Sequence, residues 1–309
     1  MAETRREIAV IATLPDDVRA ALGRRFALVE HILEGPGATP LSSLPARFRV
    51  IATRALLGVP AGICDALPDL DLVLSLGAGL EKIDTTDLEA RGIALAYTAD
   101  QFTEDVADFA LGLIYAAQRN IVGGDRFVRS GAWEKARFKT GRRVSSRRVG
   151  IVGLGRIGMR IAEKCNVLGM TVAYHSRTRR ADQPFAFHGD IRDLASASDI
   201  LVLACAESDH TRGMVGREVL DALGPNGILV NVARGAVVDE EALIDALGRK
   251  ALGAAALDVF AAEPSIDPRF LQLDNVILSP HAATFTHEAR QAVIDHLVEA
   301  AESYFENAD

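Results

Sequence analysis

The chain predicts an α/β fold of parallel sheets joined by crossover helices, on three grounds. Short apolar runs recur along its 309 residues, and most are continuous rather than alternating, the pattern of strands covered by helices on both faces. Segments with apolar residues three and four apart separate them, as crossover helices do. The length also exceeds what one core usually holds, so two domains are expected.

In chain order the predicted strands before residue 100 are "EIAVIAT", "FRVIATRA", "LDLVLSLGAG" and "GIALAYT". After it come "RRVGIVGLG", "TVAYHS", "DILVLACA", "GILVNVAR", "GAAALDVF" and "NVILSPH". Helical patterns lie between them in "IGMRIAEKCNVLG", which Gly169 ends as a C-cap, and in "DEEALIDALGRK". Two longer helices are predicted over residues 103–120 and 286–305, opening on Thr103 and Thr286 with an acid in each first turn. Each is placed to connect two domains. Residues 121–148 are rich in arginine and lysine and lack aliphatic periodicity. Two readings stand for them: a solvated connector, or an arm that anchors a subunit interface through Trp133, the one tryptophan.

The net charge of -8 argues against nucleic acid as the main partner, because neutralising phosphates needs a basic surface. Cys64, Cys165 and Cys205 lack metal-ligand spacing, so neither a zinc site nor a disulfide framework is expected, and a reducing cytoplasm fits. The N-terminal stretch has no apolar core of leader length, and no window approaches a membrane span.

The strongest motif is "VGIVGLGRIGMRIA", with Gly153, Gly155 and Gly158 in G-x-G-x-x-G spacing after an apolar strand and before a helical pattern. The first glycine permits the tight turn, the second admits a pyrophosphate to the backbone, and the third lets helix and strand close up. An NAD site of this kind usually places an acid about twenty residues on, to hold the ribose hydroxyls. Ser176 stands there instead, followed by Arg177, Thr178, Arg179 and Arg180. The missing carboxylate removes repulsion towards a 2′-phosphate and the guanidinium groups attract one. NADP (NADPH) is therefore expected, with NAD at lower affinity. For Arg179 and Arg180 taken singly, a solvated turn is an equal reading.

Together with "NVARG", "ALDVFAAEP", "SPHAATFTHEAR", "EDVADFALGLI" and "GAGLEKID", this stretch resembles the D-isomer-specific 2-hydroxyacid dehydrogenase family. Within it the similarity is to the NADPH-dependent glyoxylate, hydroxypyruvate and hydroxyphenylpyruvate reductases. The resemblance implies two Rossmann-like domains. A nucleotide domain, residues 100–282 with a dimerisation arm at 121–148, is inserted into a discontinuous flavodoxin-like substrate domain, residues 1–99 and 283–309. It also implies a homodimer, domain closure over the substrate, and a catalytic set of Arg234, Glu263 and His281.

Such a set suits the chemistry. Reducing a 2-keto acid delivers a hydride to the carbonyl carbon and a proton to its oxygen, which a histidine can donate. Glu263 would orient His281 and favour its protonated form. Arg234 would bind the substrate carboxylate and polarise the ketone. Cofactor contacts are implied at Val106, Gly153, Gly155, Arg156, Ile157, Gly158, Ser176, Arg177, Thr178, Cys205, Val232, Ala233, Arg234, Asp258, His281 and Ala283. Substrate contacts are implied at Arg54, the backbone N–H groups of Ala78, Gly79 and Leu80, Arg234 and His281. For Arg54 a surface arginine is an equal reading.

Departures from the family pattern are Ala206 for a frequent proline, Ala283 for a common glycine and Phe285 for a small residue. The last bears on the substrate, leaving hydroxyphenylpyruvate or another bulkier 2-keto acid as an alternative. A dinucleotide-sensing corepressor is a different class, disfavoured by the acidic balance and the absent acid at Ser176. Formate oxidation is disfavoured by Glu263, where that reaction's pattern has glutamine.

Overall fold

A computed structural model describes residues 6–98 and 100–307. The chain divides into two compact units, Met1–Phe102 with Phe285–Asp309, and Thr103–Thr284. The boundaries lie a few residues beyond those read from the sequence, and local contacts explain why. The turn Asp100–Phe102 packs on the C-terminal helix of the first unit. Ala282 and Ala283 donate their backbone N–H groups to Asp258 of the second.

The first unit holds β1 (Glu7–Val10), β2 (Ala27–Glu30), β3 (Val50–Arg54), β4 (Leu72–Leu76) and β5 (Ala94–Tyr97), all parallel in the order β2-β1-β3-β4-β5. That is the flavodoxin-like order. The inner strands are covered on both faces, with four of five residues of β3 and of β4 buried, which is why they read as continuous apolar runs. Helices α1 (Asp16–Arg25), α2 (Ile63–Ala66) and α3 (Thr85–Ala90) form the crossovers.

The second unit holds α4 (Thr103–Gln118), α5 (Ile121–Arg129), β6 (Arg148–Val152), α6 (Arg156–Val167), β7 (Thr171–His175) and β8 (Ala186–Phe187). It continues with α7 (Ile191–Ser196), β9 (Ile200–Leu203), α8 (Arg217–Leu223), β10 (Ile228–Asn231), α9 (Glu240–Gly248), β11 (Ala254–Leu257) and β12 (Val276–Leu278). Its seven strands are parallel in the order β12-β11-β10-β9-β6-β7-β8. The order reverses between β6 and β9, whose ends Val152 and Leu203 lie in register. In open α/β sheets ligands bind at the carboxyl ends beside such a switch.

The chain then returns to the first unit as α10 (His287–Asn307), which buries Ala289, Val293, Ile294, Leu297 and Ala301 and packs on β4, β5 and α1. Thr286 caps it as predicted, its Oγ1 accepting from Ala289 N at 2.9 Å. Tyr304 donates to Asp71 Oδ2 at 2.5 Å. Burial, reinforced by that carboxylate, pushes the phenol up to about 12.

The helix predicted over 103–120 stops at Gln118, where Asn120 enters the left-handed region at φ +50. Asparagine is one of the few residues that tolerates this. A further helix, α5, then lies where no periodicity was legible. None of its residues is buried, and its apolar Ile121 and Val128 stay exposed.

Candidate active site

Because every strand of the seven-stranded sheet is parallel, the chain leaves all of them at the same end of the sheet. Gly153 follows β6, Ser176 follows β7, Cys205 follows β9 and Arg234 follows β10. Asp258 follows β11 and His281 follows β12. Most of the residues proposed from sequence in this unit thus share one rim, with Gly153 and Cys205 beside the switch point.

The glycine turn is built as its spacing implies. Gly153 has φ +92 and its absent Cβ would lie 2.6 Å from Cys205 Cα. A Cβ on Gly158 would stand 1.9 Å from Gly153 O. Both positions therefore exclude a side chain. Gly155 differs: it is exposed, and a Cβ there would meet nothing within 4 Å. No side chain caps the first turn of α6, so helix N–H groups remain for an anion beside exposed Arg156 and half-buried Ile157. An uncapped helix start, open space over Gly155 and the switch point together fit a dinucleotide.

At the tip of β7, Ser176 Oγ donates to Thr178 O at 2.7 Å. Arg177, Thr178 and Arg179 are exposed, and neither arginine pairs with a carboxylate among the described residues.

His281 Nδ1 lies 2.7 Å from Glu263 Oε2, and Glu263 Oε1 accepts from Phe260 N at 2.9 Å. The carboxylate is thus tethered to backbone on one oxygen and holds the imidazole with the other, which leaves Nε2 for a reacting group. The pair is partly exposed, 47% for His281 and 33% for Glu263, as a site open to substrate requires. His281 has φ +54, in the left-handed region that a non-glycine residue enters only when its surroundings impose it. Those surroundings are Asp258, which is 1% exposed. Its carboxylate accepts from Ser279 Oγ at 2.6 Å, Ala282 N at 2.8 Å and Ala283 N at 3.0 Å, and its carbonyl accepts from His281 N at 2.9 Å. Sequence reading assigned Asp258 to the cofactor and missed this wrapping of the histidine loop. A lone acid directly after an apolar strand was the available signal.

Arg234 is half-buried, with Nη1 donating to Ala233 O at 2.9 Å. Buried Asn231 shapes its turn, accepting from Ala233 N at 3.0 Å and donating to Arg234 O at 3.1 Å. A Cβ on Gly235 would stand 1.9 Å from the Phe260 carbonyl carbon, so the Arg234 turn closes on the segment that tethers Glu263. Val106, Val232, Ala233 and Ala283 are buried. Burial pushes the Cys205 thiol up to about 11 and that of Cys165 up to about 12, so neither supplies a thiolate near neutral pH.

In the first unit, Ala78, Gly79 and Leu80 form the turn after β4, whose Gly77 N donates to Thr98 Oγ1 at 2.9 Å. Arg54 lies at the end of β3 with Nε 3.0 Å from Glu34 Oε1, so its charge already has a partner. Phe285 is 77% exposed. Among the described residues no group of three His, Cys, Asp or Glu side chains could hold a metal ion, and no helix is long and apolar enough to cross a membrane.

A family model described as D-isomer specific 2-hydroxyacid dehydrogenase, NAD binding domain, matches residues 111–283. The chain is 39% identical over 284 residues to the hydroxyphenylpyruvate reductase of Plectranthus scutellarioides, covering 92% of this chain and 91% of that one. The chain belongs to the D-isomer-specific 2-hydroxyacid dehydrogenase family. Two solved structures extend the likeness over both units. A 2-hydroxyacid dehydrogenase from Ketogulonicigenium vulgare Y25 matches with a TM-score of 0.92 and 37% identity, covering 99% of this chain and 96% of that one. The NADPH-dependent glyoxylate/hydroxypyruvate reductase of Sinorhizobium meliloti, in complex with NADP and malonate, matches at 0.86 and 34%, covering 97% and 94%. As a 2-hydroxyacid dehydrogenase, the protein is an oxidoreductase of 2-keto and 2-hydroxy acids with a nicotinamide dinucleotide cofactor.

Proposed function

We propose that the protein reduces a small 2-keto acid of the glyoxylate or hydroxypyruvate type to the D-2-hydroxy acid, prefers NADPH, and uses His281 as proton donor. The observation that carries this reading is the 2.7 Å pair of His281 Nδ1 with Glu263 Oε2 on the rim of the nucleotide sheet. The reduced cofactor supplies the hydride for the carbonyl carbon when bound. His281 in its cationic form gives the Nε2 proton to the ketone oxygen, while Nδ1–H stays on Glu263 and the imidazole is left neutral. The Arg234 guanidinium binds the carboxylate and offsets charge that develops on the oxygen.

Cofactor preference rests on Ser176 in the place of the usual acid and on Arg177 and Arg179, which pair with no carboxylate among the described residues. Absorbance at 340 nm, with both cofactors and a panel of glyoxylate, hydroxypyruvate, hydroxyphenylpyruvate and 2-ketogluconate, tests it. NADPH should be consumed faster than NADH, and Ser176→Asp with Arg177→Ala should move the ratio towards NADH by roughly tenfold or more, the worth of a lost charge-assisted contact. Preference for NADPH unchanged by the double exchange would sink the assignment of these residues.

A homodimer is part of the same reading. Ile121, Val128 and Trp133 are 55%, 53% and 67% exposed within residues 121–148, a cluster of apolar surface that a partner subunit would cover. Light scattering should give twice the chain mass, falling towards the single mass in Val128→Asp with Trp133→Ser. A wild-type monomer would refute it.

A further inference from the structure

Tyr174 is fully buried near the end of β7, its ring packed 5.4 Å from that of Phe187 on β8. Its hydroxyl meets the loop that follows the strand. It accepts from Arg180 N at 2.8 Å and donates to Arg180 O at 3.2 Å. One phenol thus satisfies both backbone groups of a residue six positions on and closes the exposed loop that begins at Ser176.

From that anchored backbone the Arg180 side chain crosses to the neighbouring connection, with Nη1 3.4 Å from Leu154 O inside the glycine turn. Its Nε is 3.6 Å from Asp182 Oδ1, and both side chains are about half exposed, 48% and 64%. These contacts are long and solvated, so they are weak and exchangeable for an anion. The guanidinium therefore lies between the two connections that flank the dinucleotide position, one after β6 and one after β7.

We infer that Tyr174 is a positioning residue for cofactor choice: its hydroxyl holds the Arg180 backbone so that Arg180 joins Arg177 in binding the 2′-phosphate. This rests on the NADPH reading above. A loop ordered before binding loses little entropy when the phosphate arrives, and an unlatched one loses more. The hydroxyl bonds only backbone groups of Arg180, so its effect passes through that residue.

Calorimetric titration of the full chain with adenosine 2′,5′-bisphosphate and with adenosine 5′-monophosphate separates the phosphate contribution from the rest of the nucleotide. Wild type should bind the bisphosphate more tightly. Tyr174→Phe, which keeps the buried ring, should cut that ratio roughly three- to tenfold, the worth of one or two hydrogen bonds. Arg180→Met, at an exposed position, should cut it about tenfold. Neither should change monophosphate affinity. If wild type favours the bisphosphate but Tyr174→Phe keeps its ratio, or weakens both ligands equally, the latch is wrong and the cofactor reading stands. An unchanged ratio in Arg180→Met removes Arg180 from the phosphate site and overturns the inference likewise. Equal binding of both ligands by wild type overturns the cofactor reading and this inference with it.

Discussion

Alanine at position 281 should lower turnover of a 2-keto acid by about 10²- to 10⁴-fold, the usual contribution of a positioned general acid. Cofactor affinity should change little, because the imidazole is held by Glu263 at 2.7 Å rather than by the glycine turn. Two controls make the result interpretable. His281 has φ +54, where alanine is strained by about 1 kcal/mol, whereas asparagine tolerates this region. His281→Asn should therefore match alanine in activity while melting closer to wild type. Glu263→Gln keeps a hydrogen-bonding group at the same place but lets an amide N–H face Nδ1, which favours the wrong tautomer and removes the charge that stabilises the imidazolium. It should lose activity without losing the fold. Stopped-flow measurement of the hydride step, with fluorescence titration of NADPH, separates chemistry from binding. Full turnover in His281→Asn would remove His281 from the proposed mechanism.

The parallel sheets were legible because buried strands leave continuous apolar runs, and β3, β4, β6, β9 and β10 each keep at least four residues inside. The two strands that escaped notice are edge strands. β2 reads "ALVE" with no buried residue, and β8 is two residues long. Packing on one side alone leaves too weak a pattern to read. For the same reason α5, with no buried face, could not be distinguished from a charged connector. At the site, residue types at strand ends were legible, since parallel topology brings those ends to one rim. What holds them was not. The bonds from Asp258 to Ser279, Ala282 and Ala283 join residues more than twenty apart, and the Tyr174 latch hides in an ordinary strand tyrosine. Arg54 is similar: its Nε lies 3.0 Å from Glu34 Oε1, an approach of two loop-side groups that its position at a strand end did not announce. Loop closure depends on side chains that meet only after folding, and periodicity carries no record of it.

The glycine turn offers the other large effect, because its three glycines should fail in different ways. Gly158→Ala would put a methyl 1.9 Å from Gly153 O, an overlap that neither backbone segment can relieve without moving α6 off β6. Overpacking at a rigid site costs about 1–3 kcal/mol, and a backbone clash this deep lies at the upper end or beyond. Gly153→Ala adds a positive φ of +92 to a contact 2.6 Å from Cys205 Cα. Both variants should melt several degrees below wild type. Gly155→Ala should not. Its backbone is extended, at φ -76 and ψ -165, and the new methyl would meet no protein atom within 4 Å. The protein cost is that of a poorer N-cap, at most about 1 kcal/mol. A methyl in that open space nevertheless obstructs the approach of a pyrophosphate to the first N–H groups of α6, so dinucleotide affinity should fall at least tenfold, as for a lost charge-assisted hydrogen bond or more. Thermal melting with and without NADPH distinguishes the cases: Gly155→Ala should retain its apo midpoint but lose the upward shift that ligand gives wild type. Wild-type affinity in Gly155→Ala would mean that the pyrophosphate does not cross this turn, whatever its spacing.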